Sequence, residues 1–196
     1  MPHSTFPLAI LVLLACAFAA RTVWVKRAIG KPPTTFGATD SAHDHLGRVF
    51  RVTIALLFVW FGARTLWPGA DIGVGTPALL HRTLVVWPGV AIMAGGALLT
   101  IAAQLRMGRS WRIGVDSDKT ALITTGLFAI SRNPVFVGML AVLVGGFLTA
   151  PSSVTIALCG AIWVAISTQI RLEEAQLTEL HGEAYAHYCA ATRRWL

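Results

Sequence analysis

Charge is scarce in this sequence: only 13% of its 196 residues are Asp, Glu, Lys or Arg, against 55% that are hydrophobic. The mean hydropathy of +0.66 lies outside the range of a soluble domain, and the apolar runs leave little chain for a separate water-soluble core. Cysteine is also scarce. Of three cysteines, Cys16 and Cys159 fall inside apolar runs and Cys189 lies near the C-terminus, so neither a disulfide framework nor zinc-site spacing is present. The opening MPHSTFP has no Lys or Arg ahead of the first apolar run, unlike a cleaved signal peptide. Basic residues are not interleaved with aromatics in the manner of nucleic-acid binders, and no Gly-rich dinucleotide turn follows a strand pattern.

What is present is a set of five apolar runs, about Phe6 to Val25, Val52 to Trp67, Leu84 to Leu105, Val135 to Ala150 and Val154 to Ile170. A crossing helix needs about 17 to 25 residues, so the second and fourth must borrow flanking residues or thin the bilayer. The fold class expected is an all-α integral membrane protein of about five transmembrane helices, with a cytoplasmic C-terminal helix and a short irregular or β-containing cytoplasmic loop. It forms one membrane-embedded domain over 1–196, with N-terminal helices in 1–97 and a core in 98–196.

Orientation follows from the cations. Arg21, Lys26, Arg27, Lys31, Arg48 and Arg51 separate the first two runs, and Arg106, Arg109, Arg112, Lys119 and Arg132 separate the third and fourth; only Arg64 and Arg82 flank the opposite side. The positive-inside rule then puts the N-terminus outside and the C-terminus in the cytoplasm. The formal charge of +7 is explained by this topology and by anionic headgroups. Nucleic acid is not an expected partner; membrane lipids are.

Several short motifs carry less. HDH at His43 to His45 sits in an expected loop without further ligands and is read as no metal site. GVG at Gly73 to Gly75 is read as an outer loop, and AGGA at Ala94 to Ala97 and the Gly145-Gly146 pair as helix-packing positions.

The informative segments lie in the C-terminal half. Met107 to Arg132 is too polar to span and too rich in Gly, Ser, Thr and β-branched residues for a long helix, which suggests short extended pieces and a turn at Gly126. Pro134 suits the first turn of the fourth helix and presents Arg132 and Asn133 at its cytoplasmic mouth, where free N–H groups favour an anion. A plainer role for these two is a snorkelling cation and a helix cap. After the last run comes RLEEAQLTELHGEAYAHY. Glu173 and Glu174 point about 100° apart on a helix and cannot share one task. Arg171 and Glu174, three apart, can pair on one face, and Tyr185 and Tyr188 have the spacing of interfacial anchors.

Taken together, LITTGLFAISRNPVFVGM, a hairpin of spans and RLEEAQLTELHGEAYAHYCAATRRWL resemble the C-terminal half of the isoprenylcysteine carboxyl methyltransferase family and its phospholipid methyltransferase relatives. In that family a motif similar to Arg-His-Pro-x-Tyr-x-Gly opens one span, Glu-Glu follows the next, and Gly-x-x-Tyr-x-x-Tyr closes the domain. The resemblance covers roughly Leu98 to Leu196. Asn133 stands where the family usually has histidine and Phe136 where it usually has tyrosine; asparagine cannot titrate near neutral pH, and phenylalanine has no hydroxyl.

The resemblance implies an integral membrane methyltransferase that uses S-adenosyl-L-methionine. It implies catalytic roles for Arg132, Asn133, Arg171 and Glu174, and cofactor contacts from Gly126, Asn133, Pro134, Phe136, Gly138, Glu173 and Glu174. A sulfonium donor brings its own activated methyl, so the protein must chiefly align donor and acceptor and exclude water. By family, the first acceptor expected is the carboxylate of a prenylated cysteine, which needs no general base. The second is a phospholipid amine, which must lose a proton. A membrane NAD(P)H-dependent reductase and a non-catalytic membrane protein are the remaining alternatives; transport is disfavoured because the span interiors hold almost no charge.

Overall fold

The computed structural model describes residues 5–30, 33, 41–67, 70, 75, 83–111 and 121–196. Seven α-helices follow in chain order: α1 Thr5–Ile29, α2 Ala42–Leu66, α3 Thr83–Arg106, α4 Leu127–Ile130, α5 Pro134–Thr149, α6 Ser153–His181 and α7 Glu183–Ala191. No strand occurs among the described residues, and the fold is that of an all-α integral membrane protein.

Four helices, α1, α2, α3 and α6, are long and apolar enough to cross a membrane. The fifth expected span, α5, has 16 residues and reaches only about 24 Å, short of a hydrocarbon core of about 30 Å. By contrast α6, with 29 residues, projects its last turns beyond the core. The second span begins ten residues earlier than its apolar run indicates. Ser41 caps α2 by accepting a hydrogen bond from the Asp44 N–H (3.1 Å), with Asp44 in the first turn. HDH therefore belongs to the start of a helix and not to a loop. The GVG motif lies outside the described residues except for Gly75, as do Arg112 and Lys119.

The polar segment after α3 forms a 3₁₀ turn at Gly108–Ser110. Residues 121–124 carry no regular structure, and the chain then turns at Gly126, φ 65°, into α4. The expected turn is present. Extended pairing is not formed among the described residues, because 121–124 has no partner strand beside it.

Glycine explains the closest contact in the bundle. Gly89 and Gly96 of α3 face Gly145 and Gly138 of α5, and a Cβ on Gly138 would lie 2.6 Å from the Gly96 carbonyl oxygen. These positions are seven apart on each helix, so they line one stripe and let the backbones touch. Around this pair, Leu11 and Leu14 of α1, Leu57 and Phe61 of α2, Met93 of α3, Val142 and Leu143 of α5, and Leu158, Ile162 and Ile166 of α6 form a continuous buried core.

Ring contacts fix the helix directions. Phe6 meets Trp87 near the starts of α1 and α3, with centroids 5.5 Å apart, while Phe18 meets Trp111 at the other end, 6.2 Å apart. Arg21 donates to the Gly108 carbonyl at that same end. Trp60 Nε1, late in α2, donates to Thr155 Oγ1 at the start of α6 (3.0 Å), and Thr155 donates onward to the Ala150 carbonyl (2.7 Å). Thus α1, α3 and α6 run one way, and α2 and α5 the other. The starts of α2 and α5 gather with the ends of α1, α3 and α6 at a single end of the bundle.

Candidate functional site

At that end the chain closes a cleft. Its walls are Met107, Ser110 and Trp111 after α3, residues 121–123, Phe128 of α4, Arg132 to Phe136 at the start of α5, Glu173, Glu174 and Leu177 of α6, and Tyr185 and Tyr188 of α7. The cavity volume is about 130 Å³, or about 820 Å³ with the open space of its mouth. Ligand sites usually enclose about 300–1,000 Å³, so a nucleoside-sized molecule would rest partly in the mouth.

Arg132 organises the polar side of the cleft. Its Nε and Nη2 donate to Glu174 Oε1 at 3.3 and 3.0 Å, and its Nη1 donates to the carbonyls of Cys189 and Thr192 at 3.2 and 3.0 Å. Four of the five guanidinium N–H groups are thereby engaged, leaving one on Nη2. Arg194, from the C-terminal tail, closes the other side of Glu174: its Nη2 donates to Oε2 at 2.7 Å, and its Nε reaches both oxygens. These bonds hold Arg194 above its ordinary arginine pKa. Glu174 is thus saturated by two cations.

The same tail explains Asn133. Although this residue occupies the N-cap of α5, its side chain makes no capping bond. Instead Nδ2 donates to the Arg194 carbonyl (3.1 Å), beside a Ser131 Oγ bond to the same oxygen and an Arg132 N–H bond to Arg193 O (2.9 Å). Pro134 starts α5 at N1 or N2, as its missing N–H favours. The Arg-Asn-Pro run therefore starts a helix and pins the tail.

Glu173 differs from its neighbour. It accepts one hydrogen bond, from Gln169 Nε2 to Oε1 at 2.8 Å, and meets no cation among the described residues. Its other oxygen remains available to the cleft. The two glutamates divide their tasks as the 100° offset requires.

Two sequence expectations are corrected here. Arg171 does not pair with Glu174; it is exposed and donates to the Ser167 carbonyl at 2.8 Å, away from the cleft. Arg132 and Arg194 outcompete it because they approach Glu174 from two packed segments. Tyr185 and Tyr188 are not interfacial anchors but are buried, 3% and 8% exposed. Gly182, φ 51°, turns α7 back so that both rings face the cleft. Tyr188 Oη donates to the Phe128 carbonyl at 2.6 Å. Burial pushes its phenol up to about 12 and raises Tyr185 as well, with the Glu174 charge adding to the latter.

Of the other positions singled out from the sequence, Pro134 and Phe136 line the cleft, whereas Gly126 and Gly138 do not. The close approach at Gly138 is to α3. Sequence reasoning missed Trp111, Phe128 and Arg194. Trp111 is 2% exposed, and its one signal was an aromatic within a polar segment. Arg194 read simply as a basic tail.

The fold defines a polytopic helical membrane protein with a cleft at one end of its bundle. A family profile for phospholipid methyltransferase matches residues 84–184, just over half of the chain, and the chain belongs to that family of membrane methyltransferases. The matched region contains Arg132, Asn133, Glu173 and Glu174, and leaves α1, α2 and the C-terminal tail outside. No curated protein matches the sequence.

Proposed function

We propose that the protein transfers a methyl group from S-adenosyl-L-methionine to the amine of a phospholipid, with Glu173 as the proton acceptor. The observation that carries this reading is the single uncommitted carboxylate oxygen in the cleft. Among the described lining residues, Glu174 is occupied by two guanidinium groups, Asn133 donates to a carbonyl, and Tyr188 keeps its proton to about pH 12. Glu173 is left as the group that can take a proton from an ammonium.

The cleft suits the cofactor by its chemistry. The spare Arg132 N–H matches a carboxylate, and the rings of Trp111, Phe128, Tyr185 and Tyr188 offer faces to a purine and to cationic centres. When bound, the cofactor supplies an activated methyl on a sulfonium. The chain's own residues do the rest. Arg132 and Glu174 fix the tail against α5 and α6, the buried aromatics exclude water, and Glu173 removes the proton that blocks the amine lone pair.

Exposed Lys26, Arg27, Arg51, Arg106, Arg109 and Arg193 crowd the cleft end, which supports a cytoplasmic site with the N-terminus outside. They also suit an acceptor carrying a phosphate.

Glu173→Gln tests the proposal because it keeps the shape and can retain the Gln169 contact. With an amine acceptor, turnover falls about 100-fold or more, while cofactor affinity stays within a few-fold. A prenylcysteine carboxylate acceptor, already ionised, would lose little. Unchanged amine methylation in Glu173→Gln would refute the assignment.

A further inference from the structure

Glu173 has one hydrogen-bond partner among the described residues, and that partner is itself unusual. Gln169, one turn earlier on α6, is 7% exposed, and Ala165, Ile166 and Ile170 beside it on the helix are more deeply buried still. Its Nε2 donates to Glu173 Oε1 at 2.8 Å, whereas its own Oε1 is buried and meets no donor among the described residues. Amide and carboxylate pairs four apart are ordinary on an exposed helix face. A buried side-chain carbonyl left without a donor is not.

The charge on Glu173 explains the arrangement. An ionised carboxylate only accepts hydrogen bonds, so the amide must turn its NH2 group toward Oε1. Its carbonyl then faces away, where nothing among the described residues donates to it. The opposite orientation would set one oxygen against another. Gln169 therefore holds one oxygen of Glu173 while its own acceptor stays unmet.

Other charges nearby are committed elsewhere. From the start of α5, Arg132 binds Glu174, which also binds Arg194 of the tail. On α6 itself, Arg171 is exposed and bonded to the Ser167 carbonyl. From α7, Tyr185 and Tyr188 reach the cleft as buried phenols, while Glu183 and His187 are exposed. The start of α2 brings His43, Asp44, His45 and Arg48 to the same end of the bundle, and His43 pairs with Asp44 at 3.6 Å. None of these groups bears on Glu173 as Gln169 does.

We infer that Gln169 is a positioning residue that reserves Oε2 of Glu173, the oxygen open to the cleft, as the one that takes the proton from the acceptor amine. The inference rests on the amine reading proposed above. In that step an N–H bond of the ammonium breaks and leaves its electron pair on nitrogen, and an O–H bond forms at Oε2. Oε1 becomes the carbonyl oxygen of the acid and keeps its bond from Gln169 throughout. The proton then leaves to water through the mouth of the cleft, which restores the carboxylate.

Gln169→Leu and Gln169→Met test this in the detergent-purified full chain. Each replaces a buried amide whose carbonyl is unmet by an apolar side chain, so folding should be retained. Infrared difference titration reads the Glu173 carboxyl directly, its band being the one absent from Glu173→Gln. Without the Gln169 donor the ionised form is less favoured, and the titration should rise by about one pH unit. The acid's carbonyl stretch should also move to higher frequency, because that oxygen no longer accepts a hydrogen bond. With phosphatidylethanolamine in mixed micelles, the acid limb of kcat/KM should move up by about the same amount, about a tenfold loss well below it. Activity above the limb and cofactor binding by calorimetry should stay within a few-fold. An unmoved carboxyl titration, or a carbonyl stretch that does not change, overturns the inference at Gln169 itself. A shifted titration with an unmoved acid limb overturns it through the amine reading, since Glu173 is then not the base. A uniform fall in kcat/KM at every pH, with no shift, leaves Gln169 a packing residue only.

Discussion

Replacing Glu174 with alanine should release the C-terminal tail. Arg132 and Glu174 have side chains only 12% and 13% exposed, and removing the carboxylate leaves a largely buried guanidinium with just the carbonyls of Cys189 and Thr192. Breaking a fully buried pair costs about 3–5 kcal/mol. The residual exposure and the surviving carbonyl bonds reduce this to about 2–3 kcal/mol here. The Arg194 leg is 41% exposed, so solvent screening limits it to about 0–1 kcal/mol. Glu174→Ala is therefore expected to destabilise by about 3 kcal/mol, and Glu174→Gln by about half as much, because the amide oxygen still accepts. Arg194→Ala should fall below about 1 kcal/mol. In detergent at a fixed scan rate, the thermal midpoint of Glu174→Ala should drop by about 6–12 °C. Trypsin cleavage at Arg193 and Arg194 should accelerate in parallel. The reasoning fails if Arg194→Ala is as damaging as Glu174→Ala, or if Glu174→Ala unfolds like the wild type.

Gly138→Ala should force α3 and α5 apart, since the new Cβ would sit 2.6 Å from the Gly96 carbonyl and 2.7 Å from the Thr100 N–H nitrogen; a loss of about 1–3 kcal/mol is expected. Gly160→Ala, with no atom within 4 Å, should be neutral in the same thermal assay, and equal effects would contradict the glycine contact. Tyr188→Phe should cost about 1 kcal/mol by removing the bond to the Phe128 carbonyl. Because the folded-state phenol is raised from 10.0 to about 12, its contribution is complete below its ordinary pKa and is lost as pH rises toward about 12. The stability difference between wild type and Tyr188→Phe should therefore shrink over that interval and stay constant from pH 6 to 9, as denaturation at fixed pH would measure.

The sequence was most legible where physics is local. Apolar runs marked α1, α3, α5 and α6, and Pro134 marked a helix start because its missing N–H is harmless there. The beginning of α2 was obscured because Arg48 and Arg51 interrupt hydropathy, although the Ser41 cap and Asp44 continue the helix beyond the apolar run. Within the site, adjacent Glu173 and Glu174 had to face different ways, and they do. The partners of Glu174 were not legible: Arg132 lies 42 residues from it and Arg194 20, and no periodicity links segments joined by tertiary packing. The same limit explains Arg171, whose i, i+3 spacing to Glu174 permitted a pair that better-placed cations prevent. It also explains Tyr185 and Tyr188, which the Gly182 turn carries inward.

The account depends most directly on cofactor binding. Calorimetric titration of S-adenosyl-L-methionine into the detergent-purified full chain should give saturable binding at one site, weakened in Glu174→Ala as Arg132 and the tail lose their anchor. A folded wild-type protein that binds none of it would contradict the central claim and leave Arg132, Asn133 and Glu174 as a tail clamp alone.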